Sequence, residues 1–318
     1  MSRTFPLLTF VLVMAMLASL CIGATLISPV EVFRLIARSD ASDFVVWQHR
    51  LPRTLIAVLA GSALGVAGAL IQGVIRNPLA SPDILGVTQG AGLAMTAVLL
   101  MVSSGGSGWL PIVACLGGAV GAGLLILYNT GLPFSPIRFA LSGVAVSLTF
   151  SSITEFLLLT WPVEINTALL ALVGSLWARG WTHLPQALPL LALVLLAMPL
   201  AKSLDLVGLG DEAASSLGVH LKRMRFIALG LAVMLTGVTV AVIGPLSFVG
   251  LVAPHLARRL AGGTHLRLLP ASALVGAILV TLSDTVGRGL IPPTEIAVGI
   301  LTPVIGAPYF LWLLFRIR

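Results

Sequence analysis

Charge is what this sequence has least of: 9% of its 318 residues are Asp, Glu, Lys or Arg, against about 25% in a soluble globular chain. With 58% hydrophobic residues and a mean hydropathy of +1.09, that deficit excludes a water-solvated globule and points to a chain solvated by lipid. Lysine occurs only as Lys202 and Lys222. Lys202-Ser203 follows Ala201 rather than glycine, so the chain holds no phosphate-binding loop and binds no ATP by that route. The two cysteines, Cys21 and Cys115, lie in apolar runs and read as small core residues, neither a disulfide nor a metal pair. His49, His183, His220, His255 and His265 are scattered, without metal-ligand spacing. Ser62 in GSALG falls inside an apolar run, not on the strand-to-helix turn that a hydrolase elbow needs. The expectation is a non-enzyme with no catalytic residue, no metal and no cofactor of its own.

The net charge of +7 would suggest nucleic acid in a soluble protein. Here it is accounted for by basic residues at helix ends, the positive-inside bias of membrane proteins. Apolar runs recur at roughly 5–27, 54–75, 83–103, 109–128, 136–159, 184–201, 226–243, 246–260, 269–291 and 294–315. They predict an all-α, polytopic membrane protein of ten spans forming one transmembrane domain over 1–318. The first run is long enough to cross a hydrocarbon core of about 30 Å at about 1.5 Å per residue, and Leu20 is too large to precede a lipoprotein cysteine, so it reads as an uncleaved span. The eighth run is short and interrupted by Pro254-His255. Segment 166–180 reads as a short half-buried helix rather than a crossing.

Helix starts are legible. Ser28-Pro29-Val30-Glu31 is a capping box with proline in the first turn, opening an amphipathic helix on the membrane surface. Ser81-Pro82-Asp83 predicts the start of the third span, Ser135-Pro136 that of the fifth, and Thr294-Glu295 that of the tenth. With ten spans, twelve Lys/Arg fall on one face, including Arg3, Arg76, Arg138, Lys202, Lys222, Arg223, Arg225, Arg258, Arg259, Arg267, Arg316 and Arg318, against six on the other. The richer face is cytoplasmic, so both termini are expected inside and 28–53 forms an outer loop.

Arg50 and Arg53 bracket Leu51-Pro52 on the outer face, against the bias, and Arg288 shares that face. One reading is that they hold lipid headgroups or pair with Asp40, Asp43 and Asp284. The other is a docking site for an acidic partner, since the planar guanidinium fork suits carboxylates. The longest polar break, 205–225, places Asp211-Glu212 in the first turn of a short helix closed by Gly218. Its small apolar face fits a groove on another protein. Glu155 and Asp284 fall toward span ends, a poor fit to a deep proton relay. Gly61, Gly65, Gly68, Gly117 and Gly121 mark close helix packing.

RLPR at 50–53, AGSALGVAGALIQGVIRNPLASPDILGV at 60–87, LGDEAASSLGV at 209–219, GPLSFVGLVAPHLAR at 244–258 and IGAPYFLWLL at 305–314 resemble, in order and end to end, the FecCD-type permease subunits of ABC importers for iron-siderophores, haem and vitamin B12. RNPLASPDILGV, GSLWARGW and RLLPASALVGA are most similar to the D-type subunit of ferric dicitrate permeases. The resemblance implies a type II ABC importer permease of the bacterial inner membrane. It implies a second permease subunit, related but not identical, two ATP-binding subunits that carry the ATP, and a periplasmic binding protein that supplies an iron(III) chelate. Arg50, Arg53 and Arg288 then meet acidic residues of the binding protein. Leu209, Gly210, Asp211, Ala213, Ala214, Leu217 and Gly218 fall in the segment that engages the ATPase. Alternating access would run through spans five and ten. The competing expectations are haem or vitamin B12 as cargo, or a stand-alone ion-coupled transporter leaning on Glu155 or Asp284.

Overall fold

The computed structural model describes residues 4–37, 43–101, 109–129, 136–161 and 172–316. These residues form helices and turns, and the one β-bridge among them is the isolated pair Ile291–Thr294. The helices are α1 (Thr4–Cys21), α2 (Pro29–Ala37), α3 (Leu51–Ile75), α4 (Val87–Met101), α5 (Leu110–Asn129) and α6 (Pro136–Thr160). They continue as α7 (Leu184–Ala197), α8 (Ala201–Gly208), α9 (Asp211–Ser216), α10 (Leu221–Ile243), α11 (Val249–Ala261), α12 (His265–Gly289) and α13 (Val298–Arg316).

Seven helical stretches among the described residues are long and apolar enough to cross a bilayer: Thr4–Cys21, Phe44–Ile75, Leu110–Asn129, Leu141–Thr160, Leu184–Gly208, Leu221–Ile243 and His265–Gly289. Of the other three expected spans, two contain shorter helices, α4 and α11, and in the third the apolar stretch Val298–Tyr309 of α13 is short. α4 starts at Val87, not at Asp83, and α13 at Val298, not at Thr294. Before these starts Asp83 bonds Thr88 of α4 and the Phe248 amide, and Glu295 bonds Arg53. α11 is a 13-residue amphipathic helix, entered through non-helical residues 244–247 and a Phe248 held at φ 68°. The expected outer loop 28–53 is also shorter than read, because a π-helical stretch at Phe44–Arg50 runs straight into α3. Segment 166–180 is turn rather than helix from Gly174 onward, with positive φ at Gly174 and Ala178; its first part lies outside the described residues.

α2 starts as its sequence demands, with the Glu31 amide donating to Ser28 Oγ at 3.2 Å. α3 is the central helix. From Ala63 to Ile75 every residue is buried, and α12, α10, α11 and α7 all pack on it. Lipid gives helices no hydrophobic reason to associate, so close packing of small residues has to supply the attraction. A Cβ on Gly61 would collide with the Gly276 carbonyl, and one on Gly65 with that of Ser272. The backbones of α3 and α12 therefore touch. The same device joins α4 and α5 through Gly90 and Gly117.

Candidate functional site

The three arginines singled out in the sequence converge at one end of the α3–α12 pair. Each is about 5% exposed. Arg53 donates from Nε to both Asp284 oxygens at 3.1 Å, and from Nη2 to Oδ1 at 2.8 Å. Its Nη1 reaches Glu295 Oε2 at 2.8 Å. Arg288, one turn beyond Asp284 on α12, donates from Nε to Asp284 Oδ2 at 3.1 Å and from Nη2 to Ser19 Oγ at 2.8 Å.

Arg50 spends its fork on carbonyls. Nη1 donates to Leu20 O at 2.7 Å and Cys21 O at 3.0 Å, and Nη2 to Thr25 O at 2.6 Å. Leu20 and Cys21 close α1, where carbonyls lack helical partners and the dipole favours a cation. The cluster thus staples α1, α3, α12 and the 290–297 turn together. It gathers three guanidinium groups around the Asp284 and Glu295 carboxylates, with Asp43 acting on Arg50 at longer range.

Of the two readings of these arginines, the pairing with Asp284 is present. Asp284 is 2% exposed, whereas the Glu295 side chain keeps 30% of its surface open. The sequence around Glu295 suggests only a helix start. What fetches it here is the turn that leaves α12: the Ile296 amide donates to Gly287 O at 3.0 Å and folds the chain back over Arg53.

The polar break supplies the second site. α8 continues the α7 stretch and hands over at Gly210, φ 112°, to the one-turn-and-a-half helix α9. Asp211 in its first turn accepts from Arg76 at 2.7 Å and from Arg225 at 2.8 and 3.0 Å. That ties α9 to the end of α3 and the start of α10. Arg76 itself sits at φ 56°, the left-handed turn that ends α3. Just before the break, Asp205 accepts from the His265 amide and meets its Nδ1, both at 2.7 Å, fixing α8 to the first turn of α12.

The face of α9 differs from the one expected in one respect. Ala214 is fully buried in the main core, because at 3.6 residues per turn it points opposite the solvent side. Leu209 and Leu217, 67% and 60% exposed, flank α9, with Gly210 and Ala213 between them and Gly218 just beyond. Asp211 is engaged by the two arginines rather than free.

Asp83 does not cap α4 by the expected geometry. It accepts from Thr88 Oγ1 at 2.8 Å and from the Phe248 amide at 3.2 Å, so it locks the turn before α4 to the turn before α11. No group of three or more His, Cys, Asp or Glu that could hold a metal occurs among the described residues.

The profile of the FecCD transport family matches residues 11–316. A ferric dicitrate transport system permease protein, FecD of Escherichia coli K12, is 49% identical over 276 residues, covering 86% of each chain. An iron(III)-citrate import system permease protein, YfmE of Bacillus subtilis 168, is 46% identical over 310 residues, covering 97% of this chain and 93% of its own. A solved structure described as the inward-facing conformation of a metal-chelate type ABC transporter superposes with a TM-score of 0.84 at 31% identity, covering 99% of both chains.

Proposed function

Since the chain belongs to the FecCD transport family, we propose that it is the D-type permease subunit of an ABC importer carrying an iron(III) chelate, ferric dicitrate in the first place, across a bacterial inner membrane. It pairs with a related permease chain, and both termini lie in the cytoplasm. Two ATPase subunits bind and hydrolyse the ATP, and a periplasmic binding protein delivers the cargo. The chain catalyses nothing itself.

The observation that carries the reading is the exposed apolar pair Leu209 and Leu217 around α9. An exposed apolar pair beside a helix pinned at Asp211 is a surface awaiting a protein groove. A lone ion-coupled transporter has no use for it. Because α9 is tied to α3 by Arg76 and α8 to α12 by His265, force applied there reaches the helix pair that ends in the arginine cluster. Alternating access then needs only that ATP-bound and ATP-free partners hold α9 in two positions, with cargo affinity differing between the two resulting states.

At the other end, the convergence of Arg50, Arg53 and Arg288 supports docking of an acidic binding protein. Buried as they are, the arginines act first through their field; direct contact requires a partner carboxylate to take the place of Glu295. The test is mild-detergent purification of the tagged chain from its native membrane, with mass spectrometry of what accompanies it. Recovery of an ATPase and a second permease chain is expected. Recovery of this chain alone, still active in uptake, would sink the importer reading.

A further inference from the structure

Between α11, α12 and α13 lies a cavity of about 130 Å³ with almost wholly apolar walls. On α11 it is lined by Val249, Val252 and Leu256, spaced i, i+3, i+7 and hence on one helix face. Leu279 supplies the α12 wall, and Ile305 and Tyr309 line it from α13. Ile305 is exposed, so the cavity is a slot open to the surroundings of the chain rather than a void sealed in the core.

The slot changes character at one end. One turn past Leu256, the same face of α11 carries Arg259, preceded by Arg258. The His255 and Tyr309 rings meet edge-on with centroids 6.2 Å apart, which brings the Leu256 and Tyr309 ends of the two helices together. Arg258 and Arg259 both act electrostatically on His255, and Arg259 acts on Tyr309 as well. Among the described residues, His255 Nε2 and Arg258 Nε are buried without a hydrogen-bond partner. An arginine Nε is always a donor, and buried donors are as a rule paired. This end of the slot therefore holds an N–H still to be satisfied, in a positive field.

An apolar trough that ends in guanidinium groups suits a lipid with an anionic headgroup in both its parts. The acyl chain fills apolar space, and the phosphate brings the charge and acceptor oxygens that arginine forks bind well. Free phosphate would suit only the basic end, and an apolar helix of a partner only the slot. We infer that this slot binds an anionic phospholipid, with one acyl chain along Val252, Leu256 and Ile305 and the phosphate held by Arg258 and Arg259. The lipid then ties α13 to α11 and α12. This requires only that the chain lies in a bilayer, and it is independent of what the importer carries.

The test uses the chain purified from its native membrane with the subunits that accompany it, placed in phosphatidylcholine liposomes. The probe is phosphatidylglycerol with a photoactivatable acyl chain. Illumination should label Val252, Leu256 or Ile305 more strongly than Leu7 and Phe10, which are exposed on α1, as read by mass spectrometry of the peptides. Unlabelled phosphatidylglycerol should suppress slot labelling, whereas added phosphatidylcholine or inorganic phosphate should not. Arg259→Gln, at an exposed position, should raise the probe concentration needed for half-maximal slot labelling by about fivefold, the share of one arginine at a membrane surface. Val252→Phe should fill the slot and remove its labelling while that of α1 persists. Slot labelling no stronger than that of α1 overturns the site, and unchanged labelling in Val252→Phe overturns the placing of the acyl chain. Suppression by phosphatidylcholine, or no effect of Arg259→Gln, overturns the headgroup assignment. Suppression by inorganic phosphate makes the basic end a free-phosphate site and overturns the lipid. Slot labelling of the lone chain that vanishes when a second permease chain is bound gives the slot to that chain and overturns the proposal.

Discussion

Arg53 and Asp284, 231 residues apart in sequence, face each other as a buried fork-on-carboxylate pair that Arg288 and Glu295 complete. Taking two charges out of water is costly, and the cost is offset only when both find well-aligned partners. Here Asp284 accepts from two arginines, and Arg53 donates to two acids. The arrangement fixes how α3, α12 and the turn after α12 meet.

Asp284→Asn should therefore destabilise the chain by about 3–5 kcal/mol, the range for breaking one side of a buried pair. Two guanidinium groups lose their shared anion in a space with no other acid but Glu295. A clear drop in the thermal midpoint of the detergent-solubilised protein is expected; an unchanged midpoint would show that water already solvates the cluster. By the same logic Arg53→Glu, which sets a third carboxylate against Asp284 and Glu295, is expected to break the fold and cannot serve as a clean test of docking.

Glu295→Gln is the cleaner probe of the docking proposal. It leaves Asp284 paired and frees Arg53 Nη1 from its more exposed anion. The acidic binding protein should then bind more tightly by about 0.2–1 kcal/mol, up to roughly fivefold, as for a partly exposed ion pair. Titration of the reconstituted importer measures it, and weaker binding would mean that Glu295 itself helps to hold the partner.

Gly276→Leu should separate α3 from α12. Its side chain would enter the space occupied by the Gly61 backbone, an overpacking that costs about 1–3 kcal/mol or more where backbone must move. Loss of thermal stability is expected, with partial rescue by nothing at position 61, since glycine there is already the smallest residue. A tolerated Gly276→Leu would refute the backbone contact.

Leu217→Arg and Ala214→Arg should part company. The first places a charge on the exposed flank of α9 and is expected to keep the fold while preventing co-purification of the ATPase. The second forces a charge into the core beneath α9 and is expected to lower stability as well, because an unpaired buried charge is costly. Equal stability of the two variants would contradict the orientation of α9.

Much of this was legible in the residues. Charge scarcity and long apolar runs dictate lipid-solvated helices, since backbone groups in hydrocarbon must bond within their own segment. Ser28 with Glu31, the glycines of α3 and the short helix after Gly210 announce themselves through local chemistry, and local chemistry is what a sequence displays. The starts of α4 and α13 are not legible there, for the opposite reason. Asp83 and Glu295 stand just before the helix starts, yet the Phe248 amide takes one oxygen of Asp83 and Arg53 takes Glu295, and both partners come from distant parts of the chain.

The sequence by itself determined the class of protein, most of the helical segments and the family. Only the tertiary structure decided how the polar and apolar side chains are spent. It buried Arg50, Arg53 and Arg288 against α1 and Asp284, turned Ala214 inward and Leu217 outward, and set Arg259 and Tyr309 at one end of the slot between α11 and α13. The physical reason is that a helix forms from neighbours three and four residues apart, whereas a buried charge is satisfied by whichever partner packing brings within hydrogen-bond reach.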